Sequence, residues 1–291
     1  MIHGLSVDVE DYHQIVSKNY LDKDIAPSAE VERNTLYLLE TFAHVGVKAT
    51  FFVLANVARA YPALIRQIAA AGHEVGVHGY EHTLIYTMSR SIFKSSIARA
   101  KEEIEAITGC AVQGHRAPAF SITKDAAWAY DILKELGFVY DSSVYPIRGK
   151  RYGIPDAPRH IHRLTNGLYE VPLASIKLLG FSIPVAGGGY LRYFPFFWTV
   201  YAMKRIEHEG RPAVVFIHPY EFEETPPSAF PYGVPLPLRL KLHNTLQAFN
   251  RGKRHRGKLR SLLARYRFAP IRELVQHYAH CLTEKADFLS P

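Results

Sequence analysis

The chain has 291 residues, 48% hydrophobic and 21% charged, ordinary globular proportions that allow a full core and exclude a disordered or fibrous protein. Its net charge is +8, yet no nucleic-acid-binding motif or interleaved aromatic ladder accompanies the basic residues. Two cysteines, Cys110 and Cys281, stand far apart, which argues against a disulfide framework and a cysteine zinc site. With no charged leader and no apolar run of about 18 residues, the expected location is the cytoplasm.

The opening stretch GLSVDVEDYHQ reads as a strand with Leu5, Val7 and Val9 on one face and Asp8 and Glu10 on the other, while Asp11 breaks the alternation. Residues 28–46 follow as a helix with Ser28 at its start, Val31, Leu38, Leu39 and Phe42 at helical spacing, and Gly46 at its end. VKATFFVLA suits a buried strand. A helix entered at Pro62 and ended near Gly72, a strand over 74–78, and an amphipathic helix over 89–109 carrying Ile92, Phe93, Ile97, Ile104 and Ile107 come next. The order continues through AVQGHRAPAFS, a helix near 124–136, FVYDSSVYP, LYEVPLASI, a helix near 196–209 and the strand PAVVFIH, and FAPIRELVQHYA closes the series as a strand end and a helix.

This alternation predicts parallel strands joined by helical crossovers, with about seven βα units before residue 220. The fold expected is α/β, a barrel in preference to an open sheet. The proline-rich stretch 221–241 reads as a long excursion, and the basic segment 251–260, six of whose ten residues are Lys or Arg, as a solvated face or a site for an anionic carrier or membrane surface.

In parallel α/β folds the functional groups lie just past the C-terminal ends of the strands. Asp8 and Glu10 follow the first strand, His78 and His82 follow HEVGV, Arg116 ends AVQGH, Asp141 ends FVY and His218 ends AVVFI. His78 and His82 have the spacing of two metal ligands on one turn, and two imidazoles with a carboxylate leave positions on a divalent ion for water and substrate. A second carboxylate, not ligated, could then take a proton from that water.

LSVDVED, VGVHGYEH, GHRAPAF, YDSSVYP and VVFIHPYE occur in the order and approximate spacing of the five motifs of the NodB-homology polysaccharide deacetylases, carbohydrate esterase family 4, which the chain resembles over roughly residues 1–275. DVEDYH, ATFFVLA, GHEVGVHGYEH, EVPLAS and GGGYLRYFP are similar, more narrowly, to the polysaccharide deacetylases of exopolysaccharide and exosortase loci. The resemblance implies a distorted (β/α)7 barrel, a single domain over 1–275 with a C-terminal tail at 276–291. It also implies a divalent metal, usually Zn2+, and hydrolysis of an N-acetylated saccharide. By the same resemblance Asp8 is the general base, Glu10, His78 and His82 are the metal ligands with Asp11 as the alternative, Arg116 pairs with Asp8, and His218 is the general acid steadied by Asp141. The Ala119 amide holds the oxyanion, and Phe120, Tyr145 and Tyr190 line the sugar pocket. Hydrolysis of a small amide or cyclic imide on the same fold, and carbohydrate binding without turnover, are the competing readings.

Overall fold

The computed structural model describes residues 1–21, 25–149, 151–224 and 249–288, with positions 238 and 245. The first half of the chain runs β1 (Ile2–Val9), α1 (Tyr12–Leu21), α2 (Ala29–Val45), β2 (Thr50–Val53), α3 (Ala55–Ala60), α4 (Pro62–Ala70), β3 (Glu74–Val77) and α5 (Arg90–Thr108). Next come β4 (Gly114–His115), α6 (Ala129–Glu135), β5 (Tyr140–Asp141), β6 (His162–Arg163), β7 (Tyr169–Glu170), β8 (Ser175–Leu178) and β9 (Phe181–Pro184). The chain then forms α7 (Gly189–Tyr193), α8 (Phe196–His208), β10 (Val214–Ile217), α9 (Lys253–Arg265), β11 (Arg267–Ala269) and α10 (Ile271–Phe288).

One curled sheet has the order β10-β1-β2-β3-β4-β5-β7-β6, with β11 also on β1. Seven of these strands, β10 through β7 in that order, are mutually parallel, and only β6 is antiparallel. The ladder does not run continuously around. Between β7 and β10 the curl is bridged by single contacts: Leu173 N–H donates to the Val144 carbonyl (2.9 Å), Ala174 N–H to Val214 (3.2 Å) and Gly188 N–H to Phe216 (2.8 Å). The distorted barrel expected from the sequence is therefore present, with its irregularity concentrated between β7 and β10.

Strand parity divides the core in two. Leu5, Val7, Val9, Phe51, Val53, Val75, Val77, Val215 and Ile217 point outward into the large cluster under the helices. Their neighbours Phe52, Val214 and Phe216 belong to a second cluster with Phe120, Tyr140, Tyr145 and Ile271 inside the curl. Asp8, His78 and His218 follow the inward parity, so the charged groups collect at the C-terminal rim of the barrel.

Several expectations shift in detail. LYEVPLASI splits into β7 and β8, and β8 pairs with β9 as a separate antiparallel hairpin. Ile92 faces solvent at the start of α5, while Phe93, Ile97, Ala100 and Ile104 form its buried stripe. The basic segment 251–260 is helical from Lys253 onward, and α10 runs through the boundary expected at 275/276. Most of the excursion 221–241 lies outside the described residues. No helix among the described residues is long and apolar enough to cross a membrane.

Candidate active site

Glu10 lies one residue past β1, and its Oε2 is 3.1 Å from Nε2 of both His78 and His82. One ligand atom from each of the three lies within 4.8 Å of the others, and all three residues are buried. His78 Nδ1–H donates to the Arg116 carbonyl at 2.8 Å, which fixes the tautomer and leaves the Nε2 lone pair facing the carboxylate. The loop that brings His82 back beside His78 turns at Gly79, whose φ is +105; a Cβ there would also press within 3.2 Å of the Glu81 carbonyl and Pro118. Burial alone would raise the Glu10 carboxyl, but the neighbouring His82, His218 and His78 imidazoles outweigh it and hold it below the usual carboxylate range. A carboxylate and two imidazoles converging in this way fit a divalent cation.

Asp11 turns elsewhere. Its Oδ1 accepts from the backbone N–H of His13 (2.7 Å) and Gln14 (3.2 Å), and its Oδ2 from the N–H (2.7 Å) and hydroxyl of Ser28. It caps α1 and ties that helix to the start of α2, so the alternative ligand assignment is not supported.

Asp8 is buried, and its Oδ1 accepts from Arg116 Nη1 at 2.7 Å. The guanidinium is fixed on every side: Nη1 also donates to the Ser6 hydroxyl (2.6 Å), Nε to the Ser142 carbonyl (3.0 Å) and Nη2 to the Ser142 hydroxyl (2.9 Å), and it lies over the Phe52 ring at 4.3 Å. Asp8 Oδ2 faces the cleft, 3.9 Å from His218 Nε2, which is itself 3.4 Å from Glu10 Oε1.

The expected partner of His218 is not the one observed. Asp141 binds His115 Nδ1 (2.6 Å) and the N–H and hydroxyl of Ser143 (both 2.9 Å). The carboxylate beside His218 Nδ1 belongs to Glu221, at 3.4 Å. Burial would lower the His218 imidazole, yet Glu10, then Glu221 and Asp8, outweigh it and push it up to about 9. Pro219 opens a short 3-10 turn (Pro219–Phe222) with His218 at its N-cap, which places a residue three positions on back beside the histidine. The spacing in HPYE carried that signal.

The cleft above these groups has a volume of about 210 Å³ and is walled by Tyr12, Ala119, Phe120, Arg151, Tyr152 and Tyr220. Ala119 and Phe120 both adopt the left-handed region, with φ of 49° and 55°, an uncommon strain that turns this loop into the cleft. Tyr145 and Tyr190 do not line it. Tyr145 is buried behind Phe120 and Tyr152, its ring 5.6 Å from the first and stacked on the second at 6.1 Å, and Tyr190 meets Tyr152 through its hydroxyl at 3.4 Å. Of the three aromatic residues expected there Phe120 lies on the cleft wall, and Tyr12, Tyr152 and Tyr220 complete it, placed by a helix start and two turns without strand parity to orient them.

The basic segment turns inward. Arg251 lies over the Tyr12 and Tyr220 rings at 4.4 and 5.2 Å, and Arg256 donates to the Phe222 carbonyl and covers Tyr37 at 4.0 Å. Lys258 Nζ donates to the carbonyl oxygens of Leu191 (3.2 Å), Arg192 (2.6 Å) and Phe194 (2.8 Å) at the end of α7. Only Lys253, Arg254 and Arg260 of its six cations are exposed, so these charges organise the rim and do not form a free anion-binding strip.

The chain thus forms a curled parallel barrel with a carboxylate–histidine cluster, an arginine-held aspartate and a histidine at its C-terminal rim. Residues 20–140 match the polysaccharide deacetylase family model, and residues 142–276 match a domain of unknown function, DUF3473. The chain is 30% identical over 171 residues to the peptidoglycan-N-acetylglucosamine deacetylase PgdA of Listeria monocytogenes, covering 54% of this chain and 35% of that one. It is 29% identical over 93 residues to a peptidoglycan-N-acetylglucosamine deacetylase of Bacillus cereus, 32% of this chain and 34% of that one. These matches span about a third of each relative's length. In fold, the chain superposes on a Pseudomonas aeruginosa protein assigned to the polysaccharide deacetylases with a TM-score of 0.61 at 16% identity, covering 95% of this chain and 90% of that one. A Mycobacterium smegmatis protein of the same assignment gives 0.59 at 20% identity, over 99% and 91%. Over residues 20–140 the chain is thus similar to the polysaccharide deacetylases.

Proposed function

We propose that this protein removes the acetyl group from an N-acetylated amino-sugar unit of a polysaccharide or its precursor by hydrolysis. The observation that carries the reading is the opposition of Asp8 and His218 across one cleft, with the Glu10–His78–His82 cluster at its floor. A divalent cation held by those three residues, with Zn2+ the proposed ion, would supply Lewis-acid polarisation of the acetyl carbonyl and acidify a water.

The rest follows from the chain's own groups. Arg116 occupies Oδ1 of Asp8 and leaves Oδ2 facing the cleft, where it takes the proton of the attacking water. His218, its Nε2 facing Asp8 across the cleft, gives its Nε2 proton to the amine nitrogen as the C–N bond breaks. The Ala119 backbone amide, in the left-handed turn on the cleft wall, is the proposed donor to the oxyanion. Aromatic faces at Tyr12, Phe120, Tyr152 and Tyr220 suit the apolar faces of sugar rings.

Acetate release from N-acetylglucosamine oligosaccharides by the zinc-loaded protein is the direct measurement. Asp8→Asn should lower kcat by a factor of about 10² to 10⁴, the usual share of a general base, while metal analysis after dialysis still finds zinc bound. Near-normal turnover by that variant would sink the role of Asp8. Turnover of a cyclic ureide, with no acetate from any oligosaccharide, would replace the sugar reading with the small-amide one.

A further inference from the structure

Behind His218, on the side away from the cleft, lies a closed set of ionisable side chains that the reaction described so far does not use. Glu221, Arg192 and His255 are 0%, 1% and 0% exposed. Arg192 Nε, from α7, donates to Glu221 Oε1 at 3.0 Å. Glu221 Oε2 accepts the His218 N–H at 2.9 Å, sits 3.4 Å from His218 Nδ1, and lies 3.7 Å from His255 Nε2 on α9. On the open side the Tyr220 ring stacks on His218, with centroids 4.9 Å apart and planes 17° apart, and the Arg251 guanidinium lies over that tyrosine.

Desolvating a carboxylate, a guanidinium and an imidazole together is expensive, and a fold gains little stability from doing so unless the arrangement serves a geometry. The geometry here is specific. His218 donates its backbone N–H to one oxygen of Glu221, and the same oxygen lies 3.4 Å from ring Nδ1, within ion-pair distance but outside hydrogen-bond geometry, while the other oxygen of that carboxylate accepts from Arg192. The position expected to do this, Asp141, is spent on His115 and Ser143. We propose that Glu221, anchored by Arg192 with His255 packed beside it, is the positioning residue that holds His218 with Nε2 directed at the leaving nitrogen. This rests on the deacetylase reading of the site. The step served is cleavage of the C–N bond: its electron pair stays on nitrogen, nitrogen takes the His218 Nε2 proton, and the water hydroxyl leaves with the acyl carbon as acetate.

Glu221 also caps the turn after His218, so loss of activity alone would not separate positioning from local folding. The leaving group does separate them. An amine must be protonated as it departs, whereas the phenolate of an aryl acetate leaves without a proton. The test compares wild type, Glu221→Gln and Glu221→Asp, all zinc-loaded, on an N-acetylglucosamine oligosaccharide and on 4-nitrophenyl acetate. Glutamine keeps the shape and the cap; aspartate keeps the charge against Arg192 but withdraws the carboxylate from the ring. The expected result is a fall in kcat on the oligosaccharide of tenfold or more in both variants with KM little changed, and a fall on the aryl ester of less than threefold. The ester reaction also reports that each variant is folded, and if Glu221→Gln fails to fold the aspartate variant decides alone. Equal losses on both substrates, or wild-type kcat on the oligosaccharide, would overturn the proposal. A wild type that releases acetate from neither substrate would instead remove the deacetylase reading, and this inference with it.

Discussion

Three carboxylates within four residues, Asp8, Glu10 and Asp11, have three separate fates, and each is decided by the direction of one side chain. Asp8 and Glu10 share the inward parity of β1, and the guanidinium of Arg116 meets one while two imidazoles meet the other. Asp11 falls on the first turn after the strand, where backbone donors at the start of α1 and at Ser28 are closer than any histidine. A buried carboxylate that satisfies donors in two helices is a folding element. Asp11→Ala should therefore lower stability by about 1–3 kcal/mol, as loss of a cap with its orphaned donors does, and keep one zinc per chain. Glu10→Ala should do the reverse on the metal, leaving less than one zinc per chain after dialysis. Thermal unfolding and metal analysis of the two purified variants check this; a metal-free Asp11→Ala beside a fully loaded Glu10→Ala would exchange the two roles.

At the scale of elements, the barrel interior narrows where β3, β4 and β5 approach, and small residues make room for a large one. The Tyr140 side chain crosses inside the curl to donate its hydroxyl to Glu74 Oε1 at 2.9 Å, passing directly beside Gly114. A Cβ on Gly114 would lie 2.2 Å from Tyr140 Cζ and 2.3 Å from its hydroxyl oxygen. Both residues are fully buried in paired strands, so neither can step aside cheaply. Gly114→Ala should cost at least about 1–3 kcal/mol, the range for overpacking, seen as a lower urea midpoint at unchanged m-value; an unchanged midpoint would refute the crowding. The elements that could be read from the sequence were those with a long period or a definite cap: β1 through its alternation, α2 between Ser28 and Gly46, α5 behind Ser89. Two-residue strands such as β4, β5, β6 and β7 carry too few residues for any period, and the pairing of β4, β5 and β7 along the sheet joins segments more than 20 residues apart. The helix α9 was obscured by its charge, although Leu259, Leu262 and Leu263 have helical spacing and are buried. In the site, groups that end regular strands were legible by parity. Glu221, Tyr152 and Tyr220 were not, because turns place them and a turn's direction depends on what it packs against.

For the whole molecule, the sheet order makes the first strand the centre of a structure whose flanks come from opposite ends of the chain. β1 pairs with β2 through Ser6–Val9, but its other edge pairs with β10 through Gly4–Val7, and its beginning pairs with β11 through Ile2–Gly4. Gly4 thus faces Val214 on one side and Ala269 on the other. The division of labour in the candidate site follows the same line: Asp8, Glu10, His78, His82 and Arg116 lie before residue 141, while His218, Glu221, Arg192 and His255 all lie after it. The region matched as a deacetylase, 20–140, therefore corresponds neither to a closed core nor to a complete site. A fragment ending at residue 141 would leave one edge of β1 unpaired and remove the Val214, Phe216 and Ile271 side of the inner cluster from water's exclusion. Such a fragment should show no cooperative thermal transition and a collapsed amide proton spectrum, and should release no acetate, whereas the full chain unfolds in one transition. A cooperatively folding fragment would show that the later half is an appendage; failure to fold would show that it completes the barrel and, with His218, the chemistry.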